Sequence, residues 1–221
     1  MGRTAVVLER ALDVGVPCHW VTADAVYGRD RTLRCWLGSR HQPFVLAIAQ
    51  NEQLWWQEPT YVRADVIVDN RPFHCWEKQS AGRGTKGERE YDWAQIPLWR
   101  LQSNEEEQCY SHYLLVRRSR DEKQERAYYV VYARKDQADL KTLVQVAGHR
   151  WEIESGFEET KGECGLDHYE RSATVAELVP AYYAVVIGPC GAGCFTDTGE
   201  KKRWRGWSLS VYRNCVSCCQ N

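Results

Sequence analysis

The sequence has no uninterrupted apolar run long enough to cross a membrane, and this absence argues against an integral membrane protein. The N-terminal stretch MGRTAVVLERALDVG places acidic residues among its apolar ones, which is not typical of a secretory signal peptide. We therefore expect a cytoplasmic protein with no membrane partner. In that compartment the ten cysteines are expected to be reduced thiols or metal ligands rather than disulfides.

The chain also lacks an excess of charge of one sign, because its net charge is only -1. A strongly basic balance is the usual signature of a nucleic-acid-binding domain, so any DNA contact must come from local basic clusters. Ten Trp and twelve Tyr are many for 221 residues. Aromatic side chains both fill cores and stack on unpaired bases, so their number does not distinguish a structural role from a binding role.

The apolar patterns that are present predict a mixed α/β protein, and 221 residues are enough for one core or for a core with an inserted subdomain. Strands are predicted at residues 19–23, 43–49, 61–68, 91–98, 110–117 and 127–133. The last two flank the charged segment RSRDEKQER, which predicts a hairpin. Helices are predicted over 4–13, from Arg31 onward and over 136–163. Gly148 is a weak point of the helix over 136–163.

One predicted helix, within 136–163, has an unusual charged face. At about 100° per residue, Arg150, Glu154 and Lys161 fall within roughly 40° of one another. The plain alternative is a solvated helix with ion pairs between neighbouring turns, and spacing alone favours that alternative. A groove wall is the second interpretation, because Phe157 lies on the same side as the charges.

Such a face suits phosphodiester chemistry. Cleavage by two metal ions needs carboxylates that hold divalent cations about 3.5–4 Å apart, where they clamp the attacking and leaving oxygens. Carboxylate oxygens are ligands that Mg²⁺ or Mn²⁺ accept readily. Flanking Arg and Lys side chains would neutralise neighbouring phosphates.

The spacing Arg150-x3-Glu154-x6-Lys161 resembles the last three residues of the YREK signature of insertion-sequence DDE transposases. The longer string HRWEIESGFEETKGECGLDHYE is similar to a run found in one large group of them, and WVTADAVYGRD resembles the segment that carries their second catalytic Asp. The signature's Tyr is replaced by Ala147.

This resemblance implies metal-dependent DNA cleavage and strand transfer on double-stranded DNA at transposon ends. It implies that Asp24 and Glu154 are catalytic metal ligands for Mg²⁺ or Mn²⁺, and that Arg150 and Lys161 bind the DNA backbone. A homodimer is implied for the parent family. The implied fold is an RNase H-like core interrupted by a β-rich insertion.

On this basis the chain divides into four segments. Residues 1–49 are expected to form part of the catalytic core, 50–135 the β-rich insertion, and 136–188 the C-terminal part of the core with the signature helix. Residues 189–221 form an aberrant tail rich in Cys and Trp. Four tail cysteines have approximate zinc-ribbon spacing, but we favour a frame-shifted or unrelated tail over a Zn²⁺ site; they are Cys190, Cys194, Cys215 and Cys218.

The first catalytic Asp of the family has no counterpart here, because Glu9 and Asp13 are the only acids before Asp24 and both fall in a predicted helix. We therefore expect an incomplete core, an inactive transposase fragment and an unpaired sheet edge. Two alternatives stay open: a non-catalytic DNA-binding remnant, and a zinc-binding interaction protein built on the tail.

Two weaker patterns complete the sequence evidence. Arg117, Arg118, Arg120 and Arg126 form a basic spot at the predicted hairpin turn, and solvated turn charges are the favoured interpretation. The segment AGRGTKG, residues 81–87, lacks the pattern of a nucleotide-binding loop and favours an exposed loop.

Overall fold

The computed structural model describes residues 8, 12–13, 18–57, 60–70, 75–84, 87–100, 104–150, 185–189 and 207–210. The strands are β1 Trp20–Ala23, β2 Phe44–Ile48, β3 Gln53–Gln57, β4 Thr60–Arg63, β5 Glu77–Gly84, β6 Gly87–Leu98, β7 Tyr110–Arg118, β8 Arg126–Arg134, β9 Val185–Pro189 and β10 Trp207–Ser210. The helices are α1 Ala25–Gly28, α2 Arg31–Ser39, α3 Ala64–Asp69, α4 Glu105–Gln108 and α5, residues 140–150.

Eight of these strands form one mixed sheet in the order β10-β9-β1-β2-β8-β7-β6-β5, while β3 and β4 form a separate pair. Strands β1 and β2 run parallel, with Val21 opposite Phe44 and Ala23 opposite Leu46. The other neighbouring pairs of described strands are antiparallel. This mixed α/β architecture is compatible with an RNase H-like fold.

Side-chain alternation in the strands gives the sheet two buried faces. On one face Val21, Phe44 and Leu46 pack with residues of α2 and α3. On the other face Trp20 and Val45 pack with four apolar residues of α5, which are Leu143, Val144, Val146 and Ala147. The sheet is therefore covered on both sides at its parallel pair, which is the usual situation for parallel strands.

Most of the predicted strands are confirmed within one or two residues of their expected ends, as is the hairpin of β7 and β8. The prediction of a strand over 61–68 is wrong beyond Arg63, because the chain turns into α3 at Ala64. Four strands of the segment 50–135, namely β5 to β8, continue the same sheet as β1 and β2. The predicted helix over 4–13 lies mostly outside the described residues.

Strand β1 has a neighbouring strand on each side. Strand β9 pairs antiparallel with β1, with Val186 opposite Val21, and β10 continues the sheet beyond β9. Within the described ranges, no helix is both long enough and apolar enough to cross a membrane.

Candidate active site and basic cleft

Asp24 lies immediately after β1 and is the N-cap residue of α1. Its Oδ1 accepts hydrogen bonds from the backbone N–H of Val26 at 2.9 Å and of Tyr27 at 3.3 Å. The backbone at Asp24 is extended, with φ -74° and ψ -178°. The alternation of side chains along β1 therefore continues through Asp24, which lies on the same face of the sheet as Trp20. Trp20 packs on the α5 side of the sheet.

A close backbone approach fixes α1 against the end of β2. A Cβ atom on Gly28 would lie 1.7 Å from the carbonyl oxygen of Ala47, so only glycine fits there without a shift of the backbone. Glycine at this position lets α1 sit directly on the carboxyl end of β2. Asp24, the residue that begins this helix, is thereby held at that end of the sheet.

Helix α5 makes a second close approach, at Gly148. A Cβ atom on this residue would lie 2.4 Å from the carbonyl oxygen of Ala81 in β5. The guanidinium group of Arg89 donates hydrogen bonds to the carbonyl oxygens of Ala81 and of Gly148, the latter at 3.3 Å. Gly148 is thus a contact point between α5 and β5. Ala81, expected in an exposed loop, is instead buried in β5 beneath α5.

An open cleft of about 320 Å³ lies between the end of β2, the turn end of the β7–β8 hairpin and α5. Its lining includes Ala47 and Ile48 of β2 and Tyr129 of β8. Three arginines are also among its lining residues, namely Arg117, Arg126 and Arg150.

The cleft and Asp24 share one end of the sheet. Ala23 lies opposite Leu46 in the parallel pair, so the next residue on each strand is Asp24 on β1 and Ala47 on β2. Ala47 both contacts α1 through Gly28 and lines the cleft. The structure therefore brings the predicted site residues Asp24 and Arg150 to the same end of the sheet and to its α5 side.

Two arginines of the basic spot at the hairpin turn belong to this cleft, which the sequence interpretation missed. The Arg117 guanidinium stacks over the ring of Tyr91 at 4.4 Å. Its Nε is buried and has no hydrogen-bond partner among the described residues. The favoured interpretation of solvated turn charges is therefore wrong for Arg117.

Arg126 lies at the start of β8 and donates to the carboxylate of Asp69 at 2.5 Å. This hydrogen bond raises the pKa of Arg126, so the side chain stays fully cationic. The two remaining members of the spot, Arg118 and Arg120, pair with Asp92 at 3.1 and 3.5 Å. The Arg118 side chain is largely buried against the ring of Trp76, at 4.3 Å.

The predicted residues Glu154 and Lys161 lie outside the described residues, as do the four tail cysteines of the zinc-ribbon pattern. In the described part of the chain, no group of three His, Cys, Asp or Glu side chains is arranged to hold a metal ion. The described cysteines Cys18, Cys35, Cys75 and Cys109 are free thiols. Burial raises the pKa of Cys18 to about 12, so its thiol stays protonated and is a poor metal ligand or nucleophile.

Comparison with curated proteins gave no match. Comparison with protein-family models matched the transposase DDE domain over residues 5–176. That match includes β1, α1, the whole β-rich segment and α5, together with the predicted positions Glu154 and Lys161. Since the match covers more than half of the chain, the chain belongs to the DDE transposase family.

Proposed function

We propose that this chain derives from the catalytic domain of a transposase that cleaves and joins DNA at transposon ends. The observation that carries the proposal is the position of Asp24 at the carboxyl end of a strand with a parallel neighbour, beside a cleft lined by Arg150. In open sheets with parallel strands, this end is where ligands usually bind. Family membership makes DNA the expected substrate.

In this proposal Asp24 and Glu154 are metal ligands, and Arg150 and Lys161 hold phosphates of the DNA backbone. Within the described part of the chain, both hydrogen bonds of the Asp24 carboxylate go to Oδ1. Its Oδ2 then keeps its lone pairs for another ligand. Because Glu154 follows Arg150 by four residues, a continued helix would place its carboxylate one turn further along the same face.

The described residues do not by themselves fit a pair of Mg²⁺ or Mn²⁺ ions. Asp24 supplies one hard oxygen ligand, and no cluster of three potential ligands exists among the described residues. With Glu154, the proposed site has two carboxylates, whereas the family chemistry uses three. We therefore propose that these 221 residues alone do not cleave DNA, although the family's chemistry is recognisable in them.

Cleavage is tested by incubating the purified chain with Mg²⁺ or Mn²⁺ and a supercoiled plasmid that carries the ends of the source transposon. We expect no nicking above the level of a protein-free control. Metal-dependent nicking that disappears in Glu154→Ala would contradict the proposed inactivity and would establish that the chain is a working nuclease.

The assignment of Asp24 has a matched control in Asp30. Each aspartate is an N-cap whose Oδ1 accepts two backbone N–H groups, from Val26 and Tyr27 for Asp24 and from Thr32 and Leu33 for Asp30. Asn keeps this acceptor oxygen but removes the charge that a metal ion needs. In a Mn²⁺ titration followed by electron paramagnetic resonance, Asp24→Asn should weaken Mn²⁺ binding, whereas Asp30→Asn should not. Equal Mn²⁺ binding by the two variants would show that Asp24 is not a metal ligand.

A second candidate function, non-catalytic DNA binding, is favoured by one observation. The residues that line the cleft include three arginines and, among those the structure describes, no Asp or Glu. A chain that has lost cleavage would keep this surface.

A further inference from the structure

We propose that Arg89 is a positioning residue for Arg150: it fastens α5 to the hairpin of β5 and β6, and so fixes where Arg150 meets a phosphate of the DNA backbone. This inference rests on the proposed function, because that function supplies the DNA and gives Arg150 its role. Arg89 lies on β6 and is not part of the transposase signature.

Alternate side chains of β6 face α5. Tyr91 and Trp93 pack in the same cluster as the apolar residues of α5. Arg89 precedes Tyr91 by two residues and Gln95 follows Trp93 by two, so strand alternation places all four side chains on this face. A single row of β6 side chains therefore runs beneath the helix.

The two ends of this row hold the helix through its backbone. The side-chain amide of Gln95 donates a hydrogen bond to the carbonyl oxygen of Ala138, just before α5, at 2.8 Å. The guanidinium group of Arg89 donates to the carbonyl oxygen of Gly148, close to the end of the described helix, at 3.3 Å. Strand β6 thus fixes both the start of α5 and the part of it that carries Arg150.

A β-bulge in β5 lies opposite Arg89. The ladder between β5 and β6 shifts register between Ser80 and Arg83, so Ala81 and Gly82 together face the single residue Arg89. Gly82 has a φ of +89°, a left-handed conformation that glycine adopts without strain. The carbonyl oxygen of Ala81, within the bulge, accepts a hydrogen bond from the Arg89 guanidinium. Bulges of this kind are common where a strand must direct a group towards a functional site.

Gly148 brings α5 against the same bulge. A Cβ atom on Gly148 would lie 2.4 Å from the Ala81 carbonyl oxygen, so a larger residue would push the helix away. The Arg89 guanidinium bridges the carbonyl oxygens of Ala81 and Gly148 at this point. A bulge, a close approach that requires glycine, and a bridging guanidinium therefore coincide at one contact between the hairpin and the helix.

This contact lies close to Arg150. Arg150 follows Gly148 by two residues in α5, which is about 3 Å along the helix axis. A shift of the helix at Gly148 therefore carries Arg150 with it, and Arg150 is one of the residues that line the cleft. Hydrogen bonds between a guanidinium group and a phosphate are about 2.7–2.9 Å long, so a displacement of about 1 Å is enough to break them. Arg89 thus acts on DNA binding through the position of Arg150.

Lys78 is the matched control for the charge of Arg89. It lies on β5 of the same hairpin, opposite Asp92, and its Nζ pairs with Glu90 at 2.6 Å. Glu90 and Asp92 alternate with the residues that face α5, so they lie on the other face of β6. Lys78→Gln therefore removes one positive charge from the hairpin, as Arg89→Gln does, on the face away from α5.

Gly148→Ala displaces α5 from the hairpin without any change of charge. Its matched control is Gln145→Ala, because Gln145 is an exposed residue of the same helix. These two neutral substitutions separate the position of the helix from the charge of the protein.

The test is fluorescence anisotropy of a labelled DNA duplex of arbitrary sequence, titrated with the full chain in EDTA over a series of salt concentrations. Arg150→Gln should weaken binding about tenfold at low salt and reduce the salt-dependence slope by about 1. Arg89→Gln and Gly148→Ala should each weaken binding about fivefold, but by less than about twofold when Arg150→Gln is already present. Lys78→Gln and Gln145→Ala should each change the affinity by less than about twofold.

The coupling to Arg150 separates positioning from direct contact with DNA. Arg89→Gln that weakens binding equally with and without Arg150→Gln, or no more than Lys78→Gln does, would overturn the positioning role and leave the proposed function standing. Arg150→Gln that binds DNA as tightly as the unsubstituted chain would overturn both, as would the absence of salt-dependent binding by that chain.

Two measurements guard against loss of folding. Thermal unfolding followed by circular dichroism identifies any variant that does not fold, and Arg89→Gln and Gly148→Ala each carry the test if the other fails. Arg89→Lys keeps the charge and a donor for one carbonyl oxygen, so its affinity for DNA should lie between those of the unsubstituted chain and Arg89→Gln. Arg89→Lys that binds as weakly as Arg89→Gln in a folded chain would contradict the role of the hydrogen bonds to α5.

Discussion

At the scale of single residues, His112 shows how the core constrains an ionisable group. Its ring lies 5.2 Å from that of Tyr132 and 6.3 Å from that of Phe44, in the aromatic part of the core. Burial, together with the positive charges of Arg100 and Arg34, lowers the pKa of His112 to about 3. The imidazole is therefore neutral in the folded protein near neutral pH.

This residue makes folding stability depend on pH in a defined direction. The folded-state pKa of about 3 lies below the ordinary value of 6.5, so between these two values the unfolded chain binds the proton more tightly. Stability is then lost as the pH falls from about 6.5 towards 3, by at most about 1.4 kcal/mol per pH unit. Between about pH 7.5 and about pH 5 the expected loss from His112 is up to about 2 kcal/mol.

Chemical denaturation at the two pH values measures the effect. His112→Phe should lower the pH dependence of the unfolding free energy by about this amount, because phenylalanine fills the site without titrating. His19 is exposed and gives the matched control, so His19→Asn should keep the full dependence. Equal pH dependence in the two variants would show that His112 titrates normally in the folded state.

The residue scale also shows what the sequence could and could not predict. The position of Asp24 was predictable, because an apolar run followed by Asp and a turn-like segment is a local pattern. The environment of Arg117 was not, because it comes from Tyr91 on β6 and from the cleft that α5 completes. A charge run at a hairpin turn does not reveal which of its members face a neighbouring helix.

At the scale of elements, α3 explains the one strand prediction that failed. The segment YVRADVIV has β-branched residues that favour a strand. Its buried residues are Ala64, Ile67 and Val68, which are spaced at i, i+3 and i+4 and so lie on one face of a helix. The backbone N–H of Ala64 donates to the carbonyl oxygen of Glu52, a contact that only the folded chain supplies. The local sequence pattern is thus compatible with either a strand or a helix, and tertiary packing selects the helix.

The seating of α1 on β2 gives a prediction at this scale. Gly28→Ala would force a Cβ atom to within 1.7 Å of the Ala47 carbonyl oxygen, so α1 must move away from β2. Overpacking of this kind destabilises by about 1–3 kcal/mol, or by more where backbone cannot yield. The shift would also displace Asp24, which begins the same helix.

Gly38 in α2 is the matched control, because a Cβ atom there would have no neighbour within 4 Å. Gly38→Ala should be neutral or stabilising by up to about 1 kcal/mol, since alanine favours the helix. Urea denaturation of both variants measures the difference. A Gly28→Ala variant as stable as Gly38→Ala would mean that α1 does not rest on Ala47.

At the scale of the whole molecule, the sequence predicted the mixed α/β class and the long β-rich stretch but not how the strands join. Short-range patterns identify β1, β2, β7 and β8, whereas their order in the sheet depends on pairings between distant segments. The pairing of β1 with β9 spans most of the chain, and the Cys- and Trp-rich end gave no alternation that predicts β10. Sheet edges are therefore the part of this fold that local patterns describe least.

Strand β9 carries the last prediction, because it is the only link between β1 and β10 in the described sheet. Proline cannot donate a ladder hydrogen bond and is poorly tolerated inside a sheet. Ile187, opposite Trp20 on one side and Leu209 on the other, lies within this strand, so Ile187→Pro should separate β1 from β9 and β10. An unpaired edge on β1 would then be free to pair with other chains, and we expect lower solubility and an unfolding free energy reduced by about 3 kcal/mol. Gln220→Pro, placed after β10, should leave both properties unchanged. Light scattering measures the solubility of the two variants, and thermal unfolding measures their stability. Equal behaviour of the two variants would mean that the pairing of β9 with β1 contributes nothing to solubility or stability.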